Sequence, residues 1–201
     1  MGSEMCIRDR LFDKPSLRTK LSFIIGVQKL GGNAIYFSPE EVGMGVREPI
    51  PDVSSVVSRM ADLAIIRTFE QEKIELFENY SKIPVINALT DDEHPCQALA
   101  DVMTIYEHLG TLSNKNITFI GDSNNVAKSL AFAVISLGGN FNIVSPKGYE
   151  FDKKNIVIFN MDTEPGFVVQ KILDLNNYFI LGIGNIVDWG EQFINRLKEH
   201  V

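Results

Sequence analysis

Apolar positions recur along the chain with two alternating periods, and the alternation gives the first picture of the fold. Leu21, Ile24, Ile25 and Gln28 fall on one face of a helix that stops at Gly31 and Gly32. The run NAIYF, Asn33–Phe37, then reads as a short strand. A glycine-rich loop, SPEEVGMGVREPIPD, ends in Asp52, placed to cap a helix carrying Val53, Val56, Val57 and Met60. LAIIR, Leu63–Arg67, is apolar until its last residue, the pattern of a strand covered on both faces. A helix over about 71–81 and a strand over 84–89 follow. Pro95 suits a first helical turn, and Leu99, Val102, Met103 and Tyr106 form an apolar stripe behind it, up to Gly110. NITFIGD is a strand, 126–137 a helix and NFNIVS a strand. Beyond about Glu150, NIVIFNM, YFILGIGN and a terminal helix, GEQFINRLKEH, keep the pattern without adding obvious chemistry.

Strands alternating with helices predict an α/β fold, a mostly parallel sheet with helices on both faces. In such folds ligands bind beyond the carboxyl ends of the strands, so the residues just after each strand carry the information. Arg67 ends LAIIR, TDDEHPCQ follows the strand at 84–89, and GDSNN follows NITFI. The chain divides into a first domain over 11–110, the start of a second doubly wound domain over 111–150, and an unassigned α/β-like tail over 151–201. The first ten residues, MGSEMCIRDR, have neither a signal peptide's apolar core nor a helical period. They read as a translated leader, and Cys6 takes no role.

Composition narrows the function. With 201 residues, 45% hydrophobic and 22% charged, the chain is long enough to bury a proper core. A formal net charge of −7 argues against a nucleic-acid or membrane-surface binder, whose footprint would be a basic face. Two cysteines, Cys6 and Cys96, make no disulfide framework and no CxxC metal pattern, which fits a reducing cytoplasm. No apolar run reaches the length of a membrane span.

Against that acidic balance, FDKPSLRTK gathers Lys14, Ser16, Arg18, Thr19 and Lys20 within a few residues. A serine that only caps a solvated helix explains the stretch, and so does an oxyanion site of hydroxyls, helix amides and an arginine clamp. Arg67 could pair with Asp62 or Glu70, His94 could be a loop or capping histidine, and Asn124 with Asn125 could be turn chemistry. Together, however, Ser16, Thr19, Arg18, Arg67, His94 and Gln97 form a kit for holding a phosphate while polarising an adjacent carbonyl. All of them fall at the ligand-binding edge of the expected sheet.

Four stretches carry a family resemblance: FDKPSLRTKLSF…QKLGGNAIYF, REPIPDVSSVVSRMADLAIIRTF, IPVINALTDDEHPCQALADVMTIYEHLG and FIGDSNNVAKSL…PKGYE. From about Leu11 to Glu150 they resemble the carbamoyltransferases in order and spacing. FDKPS, HPCQALAD, GDSNNVAKS and PKGYE are similar to the ornithine rather than the aspartate branch. The resemblance implies transfer of the carbamoyl group of carbamoyl phosphate to the δ-amine of L-ornithine, giving citrulline and phosphate in arginine biosynthesis. It implies that Ser16, the backbone N–H of Leu17, Arg18 and Thr19 hold the phosphate. Arg67, His94 and Gln97 would contact the carbamoyl oxygen and amide, with Arg67 and His94 catalytic, and Asn125 would contact ornithine. It further implies no cofactor, no metal, and a cytoplasmic homotrimer in which the loop GMGVREPI reaches toward a neighbour.

The chain departs from the family at Leu17, where threonine is frequent, and at both ends. An N-terminal helical segment, a Ser-Met-Gly motif and a His-Cys-Leu-Pro motif do not occur, and GIGNIVDWGE has the wrong glycine spacing for a dinucleotide fingerprint. The expectation is a complete carbamoyl phosphate site joined to an incomplete ornithine site. A non-catalytic carbamoyl phosphate-binding fragment, or a carbamoyltransferase for another amine such as aspartate, are the alternative readings.

Overall fold

The computed structural model describes residues 7–12, 14–145, 157–160, 178–182, 195, 196 and 198. Cys6, PKGYE and most of the expected terminal helix lie outside the described residues. The chain forms two compact units, Met1–Cys96 and Gln97–Val201. The sequence-based division at 110 and this one, at 96, fall at opposite ends of the same helix, α5 (Pro95–Leu109).

The first unit is a parallel sheet of β1 (Ile7–Phe12), β2 (Asn33–Phe37), β3 (Leu63–Arg67) and β4 (Val85–Leu89), in the order β2-β1-β3-β4. Around it run α1 (Leu17–Lys29), α2 (Pro39–Val42), α3 (Ile50–Val57) and α4 (Gln71–Tyr80). β1 overlaps the span read as a leader, so Ile7 to Arg10 belong to the sheet and the expected boundary at residue 11 is not a structural one. The strand order reverses between β1 and β3, the switch point where such sheets open a crevice beyond their carboxyl ends.

In β3, Ala64 and Ile66 join a core with Val53, Ile74 and Phe77, while Ile65, 1% exposed, faces the other way. Both faces are therefore covered, as the unbroken apolar run requires. The buried Ser54 hydroxyl donates to the Phe77 carbonyl at 2.6 Å and fastens α3 to α4.

The second unit is also parallel. β5 (Asn116–Ile120), β6 (Asn140–Ser145), β7 (Val157–Asn160) and β8 (Tyr178–Gly182) lie in the order β7-β6-β5-β8, with α6 (Asn125–Ser136) crossing from β5 to β6. The tail's strands thus extend this sheet on both sides. Phe119, Phe141, Leu130 and Val134 anchor its core.

Several helix details differ from the periodicity reading. The loop before Asp52 contains α2, whose ends Ser38 and Glu41 form a capping box. α3 begins two residues before Asp52, behind Pro49, so Asp52 sits in the first turn, where a carboxylate favours the helix dipole, and does not cap. On α5 the buried face is Ala98, Asp101, Val102 and Ile105, one step around from the expected stripe, and Leu99, Met103 and Tyr106 are exposed. On α1 only Val27 is fully buried, while Leu21 and Ile25 are exposed. No helix among the described residues is long and apolar enough to cross a membrane.

Truncating the centre of β3 tests this core. Ile66→Ala is expected to cost about 2–5 kcal/mol in urea unfolding, whereas Leu76→Ala, on the outer face of α4, should stay within roughly 1 kcal/mol.

Candidate functional site

Strand register assembles the first unit's site. Phe12 of β1 lies beside Arg67 of β3, and Arg67 lies beside Leu89 of β4, so the three strands end together. The loops leaving them carry Ser16, Arg67 itself and His94. Beside Arg67 the pairing skips Ala88, a bulge that re-aims the strand end where the arginine sits.

Ser16 is extended, with φ −161° and ψ 110°, and caps α1 by accepting from the Thr19 amide at 3.3 Å. Its hydroxyl also donates to the Thr19 hydroxyl at 2.9 Å. The first turn, Leu17, Arg18 and Thr19, contains no acid. Its positive dipole end is therefore left for an anion, and Arg18 stands exposed on it. Leu17 points an apolar side chain into solvent, so only its amide suits a phosphate.

Arg67 is buried, 8% exposed, and is stitched to the loop before α1. Its Nε donates to the Lys14 carbonyl at 3.1 Å, and the Lys14 amide donates back to the Arg67 carbonyl at 3.4 Å. Burial lowers the guanidinium pKa from its ordinary value, yet it stays cationic at any physiological pH. Of the alternatives for Arg67, Glu70 pairs instead with Lys73 at 3.0 Å.

His94 is delivered by a tight turn. The Thr90 amide donates to the Glu93 carbonyl at 2.8 Å, and the Glu93 amide donates to the Thr90 hydroxyl at 3.0 Å. The Thr90 hydroxyl in turn donates to Gln71 Oε1 at 2.9 Å. Burial first, then the Arg67 charge, push the His94 pKa below its ordinary 6.5, so the imidazole is neutral near pH 7. A neutral imidazole keeps one N–H to donate.

Sequence reading passed over the roles of Lys14, Phe69 and Asp91, which meet on this edge. The Lys14 ammonium lies 2.6 Å from Asp91 Oδ1 and 5.0 Å from the centre of the Phe69 ring. Cys96, by contrast, donates its thiol to the Asn87 carbonyl, and burial raises its pKa, which disfavours the reactive thiolate.

Gln97 and Asn125 belong to the second unit. Gln97 Nε2 donates to Asp101 Oδ1 at 2.9 Å, and burial raises the Asp101 pKa against that bond. Asn124 supplies the turn chemistry: its Oδ1 accepts from the Val126 and Ala127 amides, at 3.0 and 3.2 Å, and caps α6. Asn125 is the first helical residue behind it. Among the described residues no group of three or more His, Cys, Asp or Glu could hold a metal ion.

Comparison with known proteins finds a family match in each unit. The family model "Aspartate/ornithine carbamoyltransferase, carbamoyl-P binding domain" matches residues 9–107, and "Aspartate/ornithine carbamoyltransferase, Asp/Orn binding domain" matches 113–167. The match extends past Glu150, where the resemblance read from the sequence stopped, so the first part of the expected tail is family sequence. An ornithine carbamoyltransferase of Psychrobacter sp. (strain PRwf-1) is 47% identical over 140 residues, 70% of this chain and 46% of its own. The chain spans about half the length of the curated relatives it matches. The solved ornithine carbamoyltransferase of Pyrococcus furiosus superposes with a TM-score of 0.78 at 28% identity, covering 96% of this chain and 82% of that one. That of Burkholderia thailandensis E264 gives 0.71 at 35% identity, covering 88% and 56%. With both family models matched in order over most of its length, and the same fold in solved members, the chain belongs to the aspartate/ornithine carbamoyltransferase family.

Proposed function

We propose that the first unit binds carbamoyl phosphate, and that the protein transfers its carbamoyl group to the δ-amine of L-ornithine, giving citrulline and phosphate in arginine biosynthesis. The observation that carries this reading is the common ending of β1, β3 and β4, which brings an acid-free helix N-terminus, a buried arginine and a neutral histidine to one edge. Ser16, the Leu17 amide, Arg18 and Thr19 take the phosphate. Arg67 and His94 take the carbamoyl oxygen, and Gln97 the amide. Asn125 contacts ornithine. The resemblance to family members adds a cytoplasmic homotrimer as the working form.

The chemistry follows from those charges. The neutral amine attacks the carbamoyl carbon and a C–N bond forms. Negative charge grows on the carbamoyl oxygen, where Arg67 and the His94 N–H act as an oxyanion hole. The bond to the phosphate oxygen then breaks, the amine sheds a proton, and Arg18 with the loop amides stabilises the departing phosphate.

Calorimetry with carbamoyl phosphate tests the cradle. Arg18→Ala and Arg67→Ala should each weaken binding about tenfold to a hundredfold, the worth of one charge-assisted contact. Unchanged affinity in both variants would remove the clamp from the reading. For the whole reaction, a colorimetric assay should detect citrulline formation by the protein that depends on both substrates and saturates with ornithine.

His94 gives a pH signature. Because its folded pKa lies below 6.5, kcat/KM for carbamoyl phosphate should hold steady from neutral pH and show its acidic limb only below about 6.5. The unfolded chain binds the His94 proton more readily than the folded one, so stability is unaffected above 6.5 and falls as pH drops through the folded pKa. Urea unfolding of His94→Gln should lose that part of the acid sensitivity; an unaltered pH dependence would mean that His94 is not the group responsible.

A further inference from the structure

The cluster of Lys14, Phe69 and Asp91 lies outside every role assigned above, yet it touches all three loops that build the anion site. Lys14 belongs to the loop between β1 and α1, Phe69 to that between β3 and α4, and Asp91 to that between β4 and α5. The contacts close a ring. The Lys14 ammonium pairs with Asp91 Oδ1 at 2.6 Å and lies over the Phe69 ring, and the Asp91 amide donates to the Phe69 carbonyl at 2.8 Å. Lys14 also exchanges two hydrogen bonds with Arg67 through its backbone. One residue therefore joins the phosphate cradle, two residues further on, to Arg67 by its main chain and to the turn that carries His94 by its side chain.

We infer that Lys14 is a positioning residue, whose ammonium, held by Asp91 and Phe69, locks the cradle of Ser16 to Thr19 in register with Arg67 and His94. The geometry argues against the simpler idea that Lys14 is another phosphate ligand, because its charge is already engaged by a carboxylate and an aromatic face. It also separates the role from plain stability. Side-chain exposures of 30% for Lys14 and 63% for Asp91 mark an ion pair that contributes little to folding. Its effect is on the mutual placement of loops, and errors there are felt by a ligand that must touch all of them at once.

The inference rests on the carbamoyl phosphate reading, and its test keeps the two apart. Calorimetric titration of the unaltered chain with carbamoyl phosphate comes first; absence of binding there overturns the reading itself. Given binding, Lys14→Met, which keeps the stem and removes the charge, should lower affinity about tenfold while the urea midpoint barely moves. Asp91→Asn should lower affinity by the same factor, Lys14→Arg should restore most of it, and the double variant should be no worse than either single one. Affinity that stays intact in Asp91→Asn but falls in Lys14→Met would make Lys14 a direct ligand and overturn the inference. Losses that multiply in the double variant would overturn it as well.

Discussion

The register that sets Phe12 beside Arg67 and Arg67 beside Leu89 is the constraint on which the first unit's chemistry depends. Parallel strands that end together send their connecting loops out on one side, so groups far apart in sequence reach one edge before any contact between the loops refines their placement. A slip of one residue in β3 would turn Arg67 to the opposite face, and the bulge beside it shows how finely that end of the strand is set. The Lys14 amide bond to the Arg67 carbonyl extends the pairing beyond the strand and into the loop, and the Arg67 Nε bond to the Lys14 carbonyl reinforces it. Position here is inherited from the sheet.

Electrostatics then has to work against the rest of the molecule. The chain carries seven excess negative charges, and TDDE places three acids immediately before His94. At the edge, however, the cations are local and the acids are partly answered. Asp91 is paired with Lys14, and the first turn of α1 contributes amides with no carboxylate to oppose them. Arg67 has a second effect. Behind burial, the larger cause, its charge lowers the His94 pKa, so a hydrogen bond donated by that histidine would not hinge on titration near pH 7.

The apolar runs of β3 and β5, the glycine stop after α1 and the placing of Arg67 at a strand end were all legible in the residues, because each follows from period and punctuation. β1 was not. Its six residues, IRDRLF, hold three consecutive charges between apolar ends where a central parallel strand ordinarily runs apolar, so nothing in their hydrophobicity marks them out. The helix faces were misread for a related reason. On α5, Leu99, Met103 and Tyr106 are larger than Ala98 and Ile105, yet the smaller residues and Asp101 face inward, a choice made by packing and invisible to period alone. The role of Lys14 was illegible for another cause: its partners lie more than fifty residues away, and only the fold brings them near.

Of the two asparagines before and at the start of α6, the turn chemistry falls to Asn124. Capping needs one acceptor, and Asn124 supplies it to two amides with a single oxygen. Asn125 follows as the first helical residue. Ser16 does more than cap. The same hydroxyl that caps α1 by accepting from Thr19 also fixes the direction in which the remaining first-turn amides point. There the cap is a precondition of the site: a frayed helix end would leave its amides to water, and an anion would find a mobile loop in place of a preorganised cradle.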